Sequence, residues 1–289
     1  MNRSDALLDK REQRIRQMFG EIAPWYDFLN HLLSLNIDRY WRRKTVQLIP
    51  PPVPAAGPIL DVCTGSGDLA IAYARAADPT LPIIGADFCH ELLLQAQRKA
   101  QRLVPTHKLT FVEADAQYLP FPDNTFALVC VAFGLRNITD MHRGLSEMVR
   151  VCQPGGRLAI LEFSQPRHRF LGRLYLGYFR YFLPLIGQLL ARNRQAAYRY
   201  LPESVLRFPD YERLADTLRN HGLEQVTFTP FTGGIATLYQ GRKPSGASNP
   251  SIRENIYQLS SPCSDAGGTW RLQPQQDRHG TDFVSAPTK

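Results

Sequence analysis

The chain has 289 residues, 44% of them hydrophobic and 21% charged, which fits one large α/β domain or two small ones. Its formal net charge of +8 suits an anionic surface, but Lys and Arg form no long run, so no nucleic-acid-binding tail is expected. The five cysteines (Cys63, Cys89, Cys130, Cys152, Cys263) show neither a C-x-x-C pair nor a ligand spacing. They read as free thiols in a reducing, cytoplasmic compartment, and no metal is expected. The first sixteen residues mix basic and acidic side chains without an apolar stretch, which argues against a signal peptide, and no uncharged apolar run has membrane-spanning length.

Residues 1–20 read as a polar helix. An aromatic, apolar stretch from Met18, broken by Pro24, leads to a further helix starting near Asp38-Arg39-Tyr40-Trp41. Together these make a helical cover over 1–50, closed by the stiff connector Pro50-Pro51-Pro52-Val53-Pro54. Ile59-Leu60-Asp61-Val62 is a short apolar run, and Cys63-Thr64-Gly65-Ser66-Gly67 breaks it before an alanine-rich helix from Leu69 to Ala77. Strand, tight loop and helix in that order bring backbone N–H groups close to a ligand, although an ordinary βα turn has the same pattern. A second strand is expected over Leu81–Asp87, a helix over Glu91–Leu103, a third strand over Leu109–Val112 and a fourth over Phe126–Phe133. A helix over Met141–Val151, a turn at Pro154-Gly155-Gly156 and a fifth strand over Arg157–Phe163 follow. This alternation predicts a parallel, doubly wound sheet with right-handed crossovers.

An aromatic and basic insertion over about 166–208 interrupts the alternation and reads as a helical lid, with Arg173 and Arg180 on one helix face. A helix over Asp210–His221 then leads to strands Val226–Thr229 and Ile235–Tyr239, expected as an antiparallel hairpin on the sheet edge. The folded domain is therefore 1–244. Residues 245–289 are rich in Ser, Pro, Gln and Gly, carry four basic and four acidic side chains, and are expected to be disordered and dispensable for chemistry.

Asp87 follows Gly67 by twenty residues at the end of the second strand, where an acid suits the two hydroxyls of a ribose. That alone fits a nicotinamide enzyme too. Three features favour S-adenosylmethionine (SAM) instead. The loop is not G-x-G-x-x-G, the third strand leads into Asp115-Ala116, where a carboxylate can read an adenine amine, and the chain closes with a hairpin. No Tyr-x-x-x-Lys dehydrogenase signature is apparent.

Several blocks resemble the C-methyltransferases of ubiquinone and menaquinone biosynthesis, over roughly residues 14–243. They are Tyr26-Asp27-Phe28-Leu29-Asn30 with Ser34, Asp38 and Trp41; Arg150-Val151-Cys152-Gln153-Pro154-Gly155-Gly156 with Glu162-Phe163-Ser164; Leu119–Phe126; Phe133-Gly134-Leu135-Arg136-Asn137; and Tyr198–Ser204. The departures at Leu29, Asp38 and Cys63-Thr64 resemble the branch of cyanobacteria and plastids. The resemblance implies a Rossmann-like class I SAM-dependent fold and methylation of 2-phytyl-1,4-naphthoquinol to phylloquinol; a demethylmenaquinol or benzoquinol substrate and a non-catalytic SAM- or quinone-binding scaffold are the alternatives. It implies SAM contacts at Ser66, Asp87, Asp115 and Ala116, with Gly65 and Gly67 shaping the loop, Ala132 lining the methyl-transfer side, and Arg136 and Asn137 as catalytic residues that meet a quinolate oxygen. A lipophilic prenylnaphthoquinol implies a peripheral membrane surface as partner, and a homo-oligomer is compatible with it. Tyr26 and Asp27 are expected over the cofactor or substrate, or as a packing pair.

Overall fold

In the computed structural model, residues 27, 31, 34, 36–168, 172, 173, 175, 177 and 204–245 are described. Helix α1 spans Ile37–Leu48. Strand β1 (Ile59–Val62) and α2 (Asp68–Ala76) follow, then β2 (Ile83–Asp87), α3 (His90–Leu103), β3 (Leu109–Glu113) and β4 (Phe126–Ala132). A short 3₁₀ turn at Leu135–Asn137 precedes α4 (Met141–Val151) and β5 (Cys152–Phe163). Helix α5 (Glu212–Asn220) and strands β6 (Glu224–Phe231) and β7 (Ala236–Arg242) complete the domain.

The seven strands form one sheet in the order β3-β2-β1-β4-β5-β7-β6. β1 through β5 pair in parallel, and β7 pairs antiparallel with both β5 and β6. The expected doubly wound sheet and edge hairpin are both present. β4 explains why its sequence is continuously apolar: Val129 and Val131 enter the core layer beside α4 and α5, while Leu128 and Cys130 enter the layer beside α1 and α2. Both faces are dry, and each fully buried aliphatic side chain there contributes roughly 1.5–3 kcal/mol of transfer free energy.

Pro154-Gly155-Gly156 does not end the helix with a free turn. It lies inside β5, where Phe126 pairs with Cys152 and Leu128 with Arg157, so the intervening residues bulge from the ladder. The bulge is held because Gly155 N–H donates to the Lys243 carbonyl (2.9 Å) and Lys243 N–H donates to that of Gly156 (3.0 Å).

The N-terminal helix over 1–20, Tyr26, Arg180, the Tyr198–Glu203 part of its block and residues 246–289 lie outside the described residues, as does most of the expected lid. Of the cover, α1 is described through its length. Its Trp41 is buried, donates from Nε1 to Thr232 Oγ1 (2.8 Å), and packs against Phe133 and Phe163 with ring centroids 5.9 and 6.0 Å away. α1 therefore stands over the carboxyl ends of β4 and β5.

Candidate active site

The strand order reverses between β1 and β4, and ligands of open α/β sheets bind at the carboxyl ends of strands at such a point. The β1–α2 loop is fixed there from beneath. Thr64 Oγ1 donates to Asp61 Oδ2 (2.6 Å), Ala70 N–H donates to the same oxygen (3.1 Å), and Gly67 N–H donates to the Thr64 carbonyl (2.9 Å). Burial pushes the Asp61 carboxyl up to about 7, against the lowering pull of its Thr64, Cys130 and Ala70 donors. Gly67, at φ +82, precedes α2, and a Cβ there would stand 3.0 Å from Ala96 Cβ and 3.1 Å from the Phe111 ring. A side chain would meet both strain and crowding.

A cavity opens beside this loop, with about 600 Å³ of space that includes open solvent at its mouth. Six of the residues expected from the sequence share its wall: Gly65, Asp87, Asp115, Ala116, Ala132 and Asn137. Asp87 Oδ2 accepts the Gly65 N–H (2.8 Å) and Oδ1 the Cys89 N–H (2.9 Å), so the β2 acid also clamps the glycine loop. Asp115 Oδ1 accepts the Gln117 N–H (2.8 Å). The same wall contains Cys63, whose φ of +53 is left-handed and whose thiol is pushed well up by burial and by the charges of Asp87, Asp61, Asp115 and Glu162. Asp87 and Asp115, both in the wall, make this side of the cavity electronegative.

Three expected residues lie outside this wall. The side chain of Ser66 turns away from the cavity: its hydroxyl donates to Asp27 and accepts from Lys99 Nζ (3.2 Å). Lys99 also donates to Asp27 (2.8 Å) and pairs with Asp68, so a cation on α3 ties the N-terminal cover to the start of α2. This matches the packing reading of Asp27. Gly67 shapes the loop without joining the wall. Arg136 is 7% exposed, and its Nη1 donates to Glu162 Oε1 (2.6 Å) and to the Phe133 carbonyl (2.5 Å). Its Nε–H is buried and has no acceptor among the described residues.

Sequence reasoning left Lys99, Glu162 and Phe133 without a role. Lys99 has no local signal, since its partners come from 27, 66 and 68. Phe133 has one only in retrospect, as the aromatic residue between a buried strand and Gly134. Its φ of +60 is strained for a side-chain-bearing residue by roughly 1–2 kcal/mol.

The block beginning at Arg150 is structural. Arg150 donates to the Leu119 and Phe121 carbonyls (2.9 and 2.8 Å), pairs with Glu147 (2.8 Å) and reaches Asp123 (2.7 Å). It holds the 119–123 turn against α4, remote in role from the cavity.

The cavity's donor set suits SAM. Asp87 ends β2 and Asp115 follows β3 by two residues, so two carboxylates on one wall can meet a ribose and an adenine amine, the acidic wall suits a sulfonium cation, and Ala116, Ala132 and Ile138 give apolar walls. A sheet of this order around such a cavity defines a SAM-dependent methyltransferase of class I. The chain matches the ubiE/COQ5 methyltransferase family over residues 7–243 and belongs to it. It is 44% identical over 236 residues to a ubiquinone/menaquinone biosynthesis C-methyltransferase of Geobacter sulfurreducens, covering 82% of this chain and 91% of that one. It is also 44% identical over 237 residues to a demethylmenaquinone methyltransferase of Deinococcus radiodurans, covering 81% and 95%. Among solved structures, a SAM-dependent methyltransferase of Thermotoga maritima superposes with a TM-score of 0.57 at 18% identity, covering 78% of this chain and 99% of that one. A [4+2]-cyclase, SpnF, superposes with a TM-score of 0.52 at 20% identity over 71% of this chain and 82% of that one, so the likeness establishes the fold alone.

Proposed function

We propose that the protein C-methylates the ring of a demethylated prenylnaphthoquinol, turning 2-phytyl-1,4-naphthoquinol into phylloquinol. The quinone class is supported by what the relatives are named for, ubiquinone, menaquinone and demethylmenaquinone. The phytyl naphthoquinol is supported by the departures at Leu29, Asp38 and Cys63-Thr64. The observation that carries the mechanism is the place of Arg136 between the cavity residues Gly134 and Asn137, with a buried Nε–H that has no acceptor among the described residues.

SAM supplies an electrophilic methyl group. Asp87 would hold the ribose hydroxyls, Asp115 the adenine amine, and Ala116 and Ala132 the apolar surfaces beside them. On the substrate side, loss of a quinol hydroxyl proton makes the neighbouring ring carbon enolate-like and nucleophilic; that carbon would take the methyl with S-adenosylhomocysteine as leaving group, then lose its own proton so that the ring becomes aromatic again and the oxygen is reprotonated. Arg136 meets the resulting oxyanion with guanidinium N–H groups that Glu162 and Phe133 leave unused, and Asn137 orients the quinol oxygen or a water beside it. A fixed cation in a water-poor site stabilises that charge without reorganisation at the moment of reaction. A guanidinium acts here as a donor, not as a base. Asn137 Nδ2 also approaches the Phe133 carbonyl (3.4 Å), so the two residues share an anchor.

The substrate's tail keeps it in a bilayer, which makes the protein peripheral to a membrane. Among the described residues no helix is long and apolar enough to cross one. The outward face of α1 carries Arg39, Arg43 and Tyr40, the last 53% exposed, with Leu48 at its flank. A basic face with an aromatic and an aliphatic side chain complements an anionic bilayer surface. Exposed Arg173 belongs to the same proposal.

The direct test is Arg136→Gln, with turnover of the reduced prenylnaphthoquinol normalised to the SAM-binding fraction measured by calorimetry, because this variant leaves the buried Glu162 without its cation. The expected result is unchanged SAM affinity and a kcat about 100-fold lower, the usual magnitude for losing an oxyanion donor. Full turnover would contradict the role given to Arg136.

A further inference from the structure

Glu162 is the most enclosed charged side chain near the cavity, with 0% exposure on β5, the strand beside β4. Its two oxygens are shared out. Oε1 accepts Arg136 Nη1 (2.6 Å) and the Phe163 N–H (2.9 Å), and Oε2 accepts the Arg136 N–H (3.3 Å). One carboxylate therefore holds both the guanidinium and the backbone of Arg136, and the backbone of the next aromatic on its own strand.

The second partner of Arg136 Nη1 is the carbonyl of Phe133, the left-handed residue at the end of β4. Phe133 N–H donates to the Leu161 carbonyl (2.8 Å), one residue before Glu162. Its ring packs on Phe163 with centroids 4.5 Å apart, and the Arg136 guanidinium carbon stands 5.1 Å from the Phe163 centroid. Phe133, Gly134 and Asn137 are cavity wall. The chain of contacts runs from Glu162 through Arg136 to a strained peptide that shapes the cavity. Strain of this kind persists only where surrounding groups over-determine it.

We propose that Glu162 is a positioning residue for methyl transfer. It occupies Arg136 Nη1, keeps the guanidinium over Phe163, leaves the rest of the guanidinium fork for the substrate oxyanion, and through Arg136 holds Phe133 in its left-handed conformation. This rests on the reading of Arg136 given above. A neutral Arg–Glu pair in the dry interior also keeps Arg136 from being an uncompensated buried charge. Removing one partner of such a pair is strongly destabilising, whereas replacing both by neutral groups is often tolerated.

The test compares four proteins: wild type, Arg136→Gln, Glu162→Asp and the double variant Arg136→Gln/Glu162→Gln. Glu162→Asp keeps the charge and withdraws the carboxylate by one methylene. The neutral double variant avoids a lone buried cation, so neither depends on the fold tolerating Glu162→Gln alone. Kinetics with the reduced prenylnaphthoquinol are normalised to the SAM-binding fraction measured by calorimetry. The expected result is a kcat at least tenfold lower for Glu162→Asp with SAM Kd within twofold of wild type. The double variant is expected to have the kcat of Arg136→Gln, because Glu162 acts only through Arg136. A residue that merely stabilised the fold would lower the melting temperature and leave normalised kcat unchanged. Wild-type normalised turnover by Glu162→Asp beside a crippled Arg136→Gln would overturn this proposal alone. Full turnover by Arg136→Gln would overturn the assignment of Arg136 to the oxyanion, and this proposal with it.

Discussion

At the scale of single residues, the site rests on carboxylates that do two jobs. Asp87 is both cavity wall and acceptor for Gly65 and Cys89, so Asp87→Asn confronts one backbone donor with an NH₂ group. The expected outcome is a SAM Kd raised about 10- to 100-fold, corresponding to the roughly 1.5–3 kcal/mol of a charged hydrogen bond. Ser66→Ala, by contrast, is expected to change SAM Kd less than threefold and to lower the melting temperature, since its hydroxyl serves Asp27 and Lys99. Calorimetry on the two variants checks both statements. Asp61 gives a pH signature. Its folded carboxyl sits at about 7, above the roughly 3.9 of an unfolded Asp, so the fold binds its proton more tightly. That contribution to stability is fully present below about pH 4 and is lost as pH rises toward 7. Denaturant midpoints of wild type and Asp61→Asn across this window are expected to show a pH-dependent component in the wild type that the variant lacks. Asp87 and Asp115 were legible in the sequence because strand ends are readable and acids there have a geometric meaning. The direction of the Ser66 side chain was not, because α3 and the N-terminal cover set it through Lys99 and Asp27.

At the scale of elements, two turns decide how β1 and β4 meet. A Cβ on Gly134 would lie 2.4 Å from Cys63 Cβ, and Cys63 already has a left-handed φ. Gly134→Ala is therefore expected to destabilise the protein by about 2 kcal/mol or more, from overpacking next to strained backbone. Cys63→Gly in the same chain is expected to recover most of that loss, since it removes the colliding atom and the φ strain together; urea denaturation of the two variants measures the coupling. Arg150→Ala is expected to cost about 1–3 kcal/mol by leaving the Leu119 and Phe121 carbonyls short of donors, with SAM Kd within twofold of wild type. The elements themselves were readable from apolar periodicity: α4 has the expected bounds, and the other strands and helices differ by a few residues at their ends. The exception is β5. Pro154-Gly155-Gly156 carries the composition of a turn, but Lys243, some ninety residues later, pairs with its backbone and converts it to a bulge. Such non-local pairing has no signature within a local window.

At the scale of the whole molecule, the parallel sheet gathers the ends of β1, β2 and β4 and the residues that follow β3 at one cavity, and α1 covers the same edge with an exposed basic face. Changing Arg39 and Arg43 together to Glu is expected to reduce co-sedimentation with anionic liposomes at low salt severalfold, while turnover of a detergent-dispersed substrate stays within about threefold; unchanged co-sedimentation would exclude α1 as the docking face. The family match ends at residue 243, so a chain cut after residue 245 is expected to keep wild-type SAM affinity and kcat. The most direct test of the central claim is labelled-methyl transfer from SAM to a panel of reduced demethylquinones bearing naphthoquinol and benzoquinol rings. The expected result is label in the ring of 2-phytyl-1,4-naphthoquinol at the highest kcat/KM of the panel. SAM binding without transfer to any quinol would contradict it.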